Sequence, residues 1–234
     1  MVNEQPQRPA VSVTFMVLAV IFCSCLIVSN LMEIKTVNLG FITITAGVIV
    51  FPISYIINDC IVEVYGFSKA RLVIWLGFGM NLLVSLLLQL GVWLPGADSW
   101  TGQEAMALIF GAVPRIFAAS FIAFLCGSMV NAYVMSRMKI SHGSKRFSLR
   151  AITSTLFGEG VDSVIFFPIA FGGILAWHEI GLLILTQTIL KTVYEIMILP
   201  VTIRVVHLLR NLEGHDVTDD PEMSYKWWKI NDLH

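Results

Sequence analysis

The chain has 234 residues, of which 56% are hydrophobic and 13% charged, with a formal net charge of -1. A water-soluble core that apolar would leave too little polar surface to stay dispersed, so the composition excludes a soluble globular enzyme and points to a bilayer. Near-neutral charge excludes a nucleic-acid partner, because phosphate binding requires a basic face.

Six stretches are long enough to cross a bilayer, at about 20 residues each: 11–32, 44–65, 72–94, 108–135, 149–175 and 180–208. The fold class predicted is therefore all-α, a polytopic membrane protein with six transmembrane helices. Residues 1–10 form a short N-terminal segment, 11–210 the transmembrane domain and 211–234 a tail. The first stretch resembles a signal peptide only superficially. Its leading residues are weakly basic and no small-x-small site follows, so it reads as a retained helix. Between the first two stretches, KTVNLGFITIT alternates around Asn38, Leu39 and Gly40 and could form a small hairpin.

The second stretch is the least regular, with Gly47 and Pro52 interrupting it and Asn58, Asp59 and Glu63 towards its end. A kinked or broken helix is expected there. The third carries Asn81, Ser85 and Gln89 on one helical face. The fourth contains Arg115 and the small-residue run Ala119, Ala123, Gly127, which suits close helix packing within a protomer or across a homodimer. The fifth, LFGEGVDSVIFFPIAFGG, holds Glu159 and Asp162 three residues apart, on one face with Thr155 and Phe166. The sixth holds Gln187, Lys191 and Glu195 at helical spacing.

An ionised carboxylate at bilayer depth costs about 3 kcal/mol on insertion scales. Asp59, Arg115, Glu159, Asp162, Lys191 and Glu195 must therefore converge on a common interior, two cations against four carboxylates. The alternatives differ from residue to residue. Arg115 could snorkel to headgroups, Lys191 could form a structural pair with Glu195 or Asp162, and Glu63 could pair with Lys69 or Arg71 near the basic loop. Basic residues crowd the loops after the second and fourth stretches and the end of the sixth, which places both termini in the cytoplasm. In the tail, Trp227 and Trp228 between lysines could rest on headgroups or belong to a disordered end. The four cysteines read as buried small residues. The five histidines have no metal-ligand spacing, and no phosphate-binding loop or catalytic constellation occurs. Ser163 beside Asp162 is the only candidate for an intramembrane nucleophile, and adjacent residues point about 100° apart on a helix.

The runs GVIVFPISYIINDCIVEVYGFSKAR, RIFAASFIAF and STLFGEGVDSVIFFPIAF resemble the bacterial queuosine precursor transporter family, also described as a vitamin uptake transporter family. Its most specific parts here run from Tyr55 to Gly66 and from Ser154 to Ser163, and the resemblance covers most of residues 25–200. It implies a multi-pass protein of the bacterial inner membrane, without enzymatic activity or cofactor, importing 7-cyano- or 7-aminomethyl-7-deazaguanine for tRNA modification. The positions matching its motifs are Asn30, Asp59, Arg115, Asp162 and Lys191. The chemistry is compatible. One carboxylate, Asp162 or Glu159, can accept both N1–H and the 2-amino group of a guanine-like edge. Arg115, Lys191 or Gln89 can donate to the carbonyl, Phe166 can offer a ring face, and Glu195 adds a further carboxylate. Carboxylate protonation could accompany uptake by a secondary carrier. A substrate-binding subunit of an energy-coupling-factor vitamin importer is a second transport reading; a membrane scaffold or enzyme is a third.

Overall fold

The computed structural model describes residues 11–32, 35–38, 43–110, 114–142, 146–173, 176–214, 219 and 225–226. Among these the architecture is helical apart from one three-residue strand pair. Helix α1 (Val13–Met32) begins where Ser12 Oγ accepts the Phe15 N–H at 3.1 Å, satisfying one of the donors a helix start leaves open. Strands β1 (Thr36–Asn38) and β2 (Thr43–Thr45) then pair antiparallel, with Thr36 opposite Thr45. The residues between them, 39–42, where the turn is expected, lie outside the described residues.

A 3-10 turn (Ala46–Ile49) leads into α2 (Phe51–Tyr65), whose Pro52 sits in the first turn, where no hydrogen-bonded N–H is lost. Gly66, with φ 85 and ψ 171, reverses the chain in one residue. That backbone region is open to glycine and strained for other residues. Next come α3 (Phe67–Trp93), the short α4 (Gln103–Phe110), α5 (Pro114–His142), α6 (Phe147–Phe171) and α7 (Trp177–Glu213).

Among the described residues five helices, not six, are long and apolar enough to cross a membrane: α1, α3, Ala118–Ser141 of α5, α6 and α7. The difference lies in the second expected stretch. Helix α2 has 15 residues, about 22 Å at 1.5 Å per residue, short of a bilayer's hydrocarbon depth. The fourth expected stretch is also displaced. Residues 108–110 end α4, and the long helix starts afresh at Pro114, a residue favoured at the first helical position.

Helix α2 is the core. It packs against α1, α3, α5 and α7, and Tyr55, Ile57, Asn58, Asp59, Cys60, Ile61, Val62, Glu63, Val64 and Tyr65 are all buried. The outer helices do the reverse, presenting Val17, Leu86, Val164, Leu185 and Met197 outward, as expected for surfaces solvated by lipid. Helices α5 and α6 form the closest crossing. A Cβ placed on Gly127 would lie 2.8 Å from the Gly158 carbonyl oxygen, and one on Gly158 would lie 2.8 Å from Asn131 Cβ. With Ala119 and Ala123 also buried, the small-residue run of α5 serves packing within the protomer.

One end of the bundle is basic. There Glu63 of α2 pairs with Arg150 of α6 at 2.5 Å and with Arg210 of α7, and its carbonyl accepts from Lys139 of α5. The expected partners Lys69 and Arg71 do otherwise. Lys69 lies over the rings of Phe15 and Tyr65, and Arg71 Nη1 donates to the Lys226 carbonyl at 2.8 Å. Part of the tail docks here. Asp219 accepts the Phe67 N–H on both oxygens at 3.0 Å and the Ser136 hydroxyl, and the Tyr225 ring packs on Phe67, Tyr133 and Arg137. Trp227 and Trp228 lie outside the described residues.

Candidate functional site

Lys191 of α7 is the centre of the polar interior. Its ammonium lies 2.7 Å from Glu159 Oε2 and 3.2 Å from Asp162 Oδ2, both on α6. The i, i+3 spacing of the two carboxylates brings them to one side of α6, and one long flexible cation reaches both. Their burial is unequal. The Glu159 side chain is 2% exposed, that of Asp162 11% and that of Lys191 18%, so Asp162 and Lys191 are the less enclosed members of the cluster where α6 packs on α7. The pairing crosses helices, whereas Glu195, one turn along α7 from Lys191, makes no ion pair among the described residues.

The other walls come from α2 and α5. The tight α5–α6 crossing places Gly127 against Asp162, with 2.9 Å from a built Cβ to Asp162 Cβ and 3.2 Å to the Tyr55 hydroxyl. Tyr55 is buried, its hydroxyl beside Ser128 and within reach of the Glu159 and Asp162 charges. Around this cluster the buried hydroxyls of Thr155, Ser163 and Thr188 have no hydrogen-bond partner among the described residues. Thr155 shares the face of Glu159 and Thr188 that of Lys191. Buried polar groups without a partner are few in folded proteins, and each needs an explanation. Taken together, the cluster gathers acceptors, a cation and hydroxyls from four helices, the chemistry that a small polar molecule with several donors would need.

A second polar layer lies one turn further along α2 and α7. Asp59 and Glu195 are both buried and bear on each other across the α2–α7 contact. Asn131 of α5 faces Asp59, and its Oδ1 accepts from Asn58 at 2.9 Å.

The remaining expected residues are dispersed. Asn30 of α1 accepts from Ser120 of α5 at 3.4 Å. Gln89 sits half-buried near the far end of α3, a helix that packs on α1, α2, α4 and α5. Phe166 is half-buried in an edge-to-face cluster with Phe167 and Phe171. Arg115 falls in the first turn of α5, and its side chain lies outside the described residues. Sequence reasoning missed Ser128 and Asn131, and gave Tyr55 no role beyond its place in a motif. The signal for the first two was available as polar residues inside an apolar run, at Gly127 to Asn131. No group of three or more His, Cys, Asp or Glu residues suited to a metal occurs among the described residues.

The sequence from 45 to 205 matches the family model described as "Putative vitamin uptake transporter". Among curated proteins, the chain is 33% identical over 147 residues to the "Probable queuosine precursor transporter" of Bacillus subtilis (strain 168). It is 33% identical over 141 residues to the "Queuosine precursor transporter" of Escherichia coli (strain K12). A third similarity, 28% identity over 127 residues, is to the "Probable queuosine precursor transporter" of Haemophilus influenzae. These stretches cover 62%, 60% and 54% of this chain and 64%, 61% and 52% of the respective relatives, less than two thirds of each relative's length. No solved structure matches the chain.

Proposed function

The chain belongs to the vitamin uptake transporter family, and on that premise we propose that it imports queuosine precursors, 7-deazaguanine bases, across the bacterial inner membrane. It is a multi-pass membrane protein of a transporter family, not an enzyme. Three relatives named for queuosine precursors support the substrate class. The observation that carries the site assignment is the partly exposed Lys191 held between Glu159 and Asp162, with buried hydroxyls beside them that have no hydrogen-bond partner among the described residues.

In this reading Asp162, the more exposed and more loosely paired carboxylate, accepts N1–H and the 2-amino group of the base as a bidentate, charge-assisted pair. Lys191 turns from Asp162 to the carbonyl edge and keeps Glu159 as its counter-ion, so no charge is left bare when the base arrives. Tyr55 and Ser128 close the floor. An aminomethyl substituent, cationic at neutral pH, would be received by the excess carboxylate charge.

The basic end is assigned to the cytoplasm because Lys and Arg concentrate on the side that is not translocated. Six crossings follow if the 3-10 turn and α2, together about 30 Å long, serve as the second crossing. Such a broken element is tolerated because protein surrounds it on every side.

Uptake of labelled 7-deazaguanine bases by cells expressing Asp162→Ala, at wild-type protein levels, tests the site. Loss of uptake is expected, and full uptake would sink the assignment. Proteoliposomes holding only this chain should take up the base unaided, which a subunit dependent on a partner ATPase does not do.

A further inference from the structure

We propose that Asp59 and Glu195 form a proton-binding site that shares one proton between two carboxylates and couples proton entry to movement of the base. This rests on the transport reading above and adds the driving ion, at a position separate from the base site.

Both carboxylates are fully interior, Asp59 at 0% and Glu195 at 1% exposure. They come from facing helices, α2 and α7, and neither lies within ion-pair distance of a basic side chain among the described residues. The described cations of the polar interior are committed elsewhere: Lys191 to Glu159 and Asp162, Arg150 and Arg210 to Glu63. Oε1 of Glu195 accepts no hydrogen bond from the described residues, and the donor facing Asp59 among them is the neutral Asn131 amide. Two buried carboxylates that bear on each other with no cation between them do not both ionise away from water, so in this proposal the pair takes up one proton and its charge falls from -2 to -1. The charged groups bearing on Asp59 are Glu195 from α7 and Glu63 from its own helix, all of one sign.

A neutral group points the same way. Asn58 Nδ2 donates to Asn131 Oδ1 at 2.9 Å, which fixes the orientation of the Asn131 amide. Its Nδ2 is therefore turned to the acid side, where it faces Asp59. Asn131 is completely buried. An amide donor held ready beside a carboxylate pair favours the singly protonated state, because it supports whichever oxygen retains the negative charge.

The spacing links this site to the base site. Tyr55 and Asp59 are one turn apart on α2, as are Lys191 and Glu195 on α7, so the two layers are separated by about 6 Å along both helices. Tyr55 feels the charge of Asp59, and Glu159 that of Glu195. A proton gained or lost in one layer thus alters the electrostatic setting of the other.

The test uses the purified full-length protein. Infrared spectra near neutral pH should show a protonated carboxyl band that disappears in the Asp59→Asn, Glu195→Gln double variant and persists in Asp162→Asn. Absence of the band in the wild type, or its survival in the double variant, overturns the proposal. In proteoliposomes an imposed pH gradient should drive accumulation of the labelled base. Glu195→Gln and Asp59→Asn, each checked for monodispersity, should still bind and exchange the base, with an affinity that no longer changes with pH, but lose accumulation. Accumulation at the wild-type level, loss of base binding, or drive by a sodium gradient in place of pH would each overturn it. A wild-type protein that neither binds nor moves the base refutes the substrate reading alone, because the infrared band decides the shared proton independently.

Discussion

At the scale of single residues, Lys191 carries the largest electrostatic responsibility in the cluster, being paired with two carboxylates. Removing one partner of a buried ion pair leaves charge uncompensated and typically costs about 3–5 kcal/mol; Lys191 is partly exposed, so the lower end applies. Lys191→Met should therefore lower the thermal unfolding temperature in detergent. Adding Glu159→Gln should recover part of the loss, because the more deeply buried carboxylate is then neutral; a double variant no more stable than the single one would contradict this. The importance of Glu159, Asp162 and Lys191 was legible in the sequence, since charges inside apolar runs advertise themselves. Their partition was not. Helical spacing alone links Lys191 with Glu195, but the α6–α7 contact brings two carboxylates to the ammonium and leaves Glu195 to Asp59. Such choices depend on which helix is the neighbour, and one-dimensional periodicity does not encode it.

Among the elements, the α5–α6 crossing sets the width of the site. Gly127→Ala puts a methyl 2.8 Å from a backbone oxygen and 2.9 Å from Asp162 Cβ, neither of which can swing aside. Forced separation of the helices should destabilise the protein by about 1–3 kcal/mol and weaken base binding. Gly160→Ala, on the same α6 with nothing within 4 Å of its added Cβ, should be neutral or stabilising by up to about 1 kcal/mol through helix propensity. Thermal unfolding of the two variants side by side checks the contrast. The apolar runs marked α1, α3, α6 and α7 to within a few residues, because lipid-facing surface requires them. Helix α2 escaped the same reading. Its burial comes from protein on all sides rather than lipid, so its length is free of the bilayer rule, and its polar content of Asn58, Asp59 and Glu63 is tolerated.

For the whole molecule, the basic end is held by the returning tail and by Glu63. Asp219 supplies the acceptor that the start of α3 lacks, a role usually worth about 1 kcal/mol. The Tyr225 packing adds about as much again. A chain stopped after Gly214 should lose about 2 kcal/mol of stability, and unfolding at an unchanged temperature would refute the docking. Glu63→Ala should be costlier, about 3–5 kcal/mol, since it strands Arg150 in the interior; expression and thermal unfolding report it. Tyr55, Asp59 and Glu63 recur every four residues along α2, so this short helix is a three-rung ladder with one task on each rung. The lowest rung is bolted to α6 and α7 at once. Parting those two helices at the basic end must break the fully buried Glu63 away from a guanidinium, whereas at the Lys191 level the α6–α7 tie is a partly exposed ion pair whose Asp162 arm an arriving base can replace. The molecule is therefore asymmetrically fastened, shut at its basic end and readier to yield at the other.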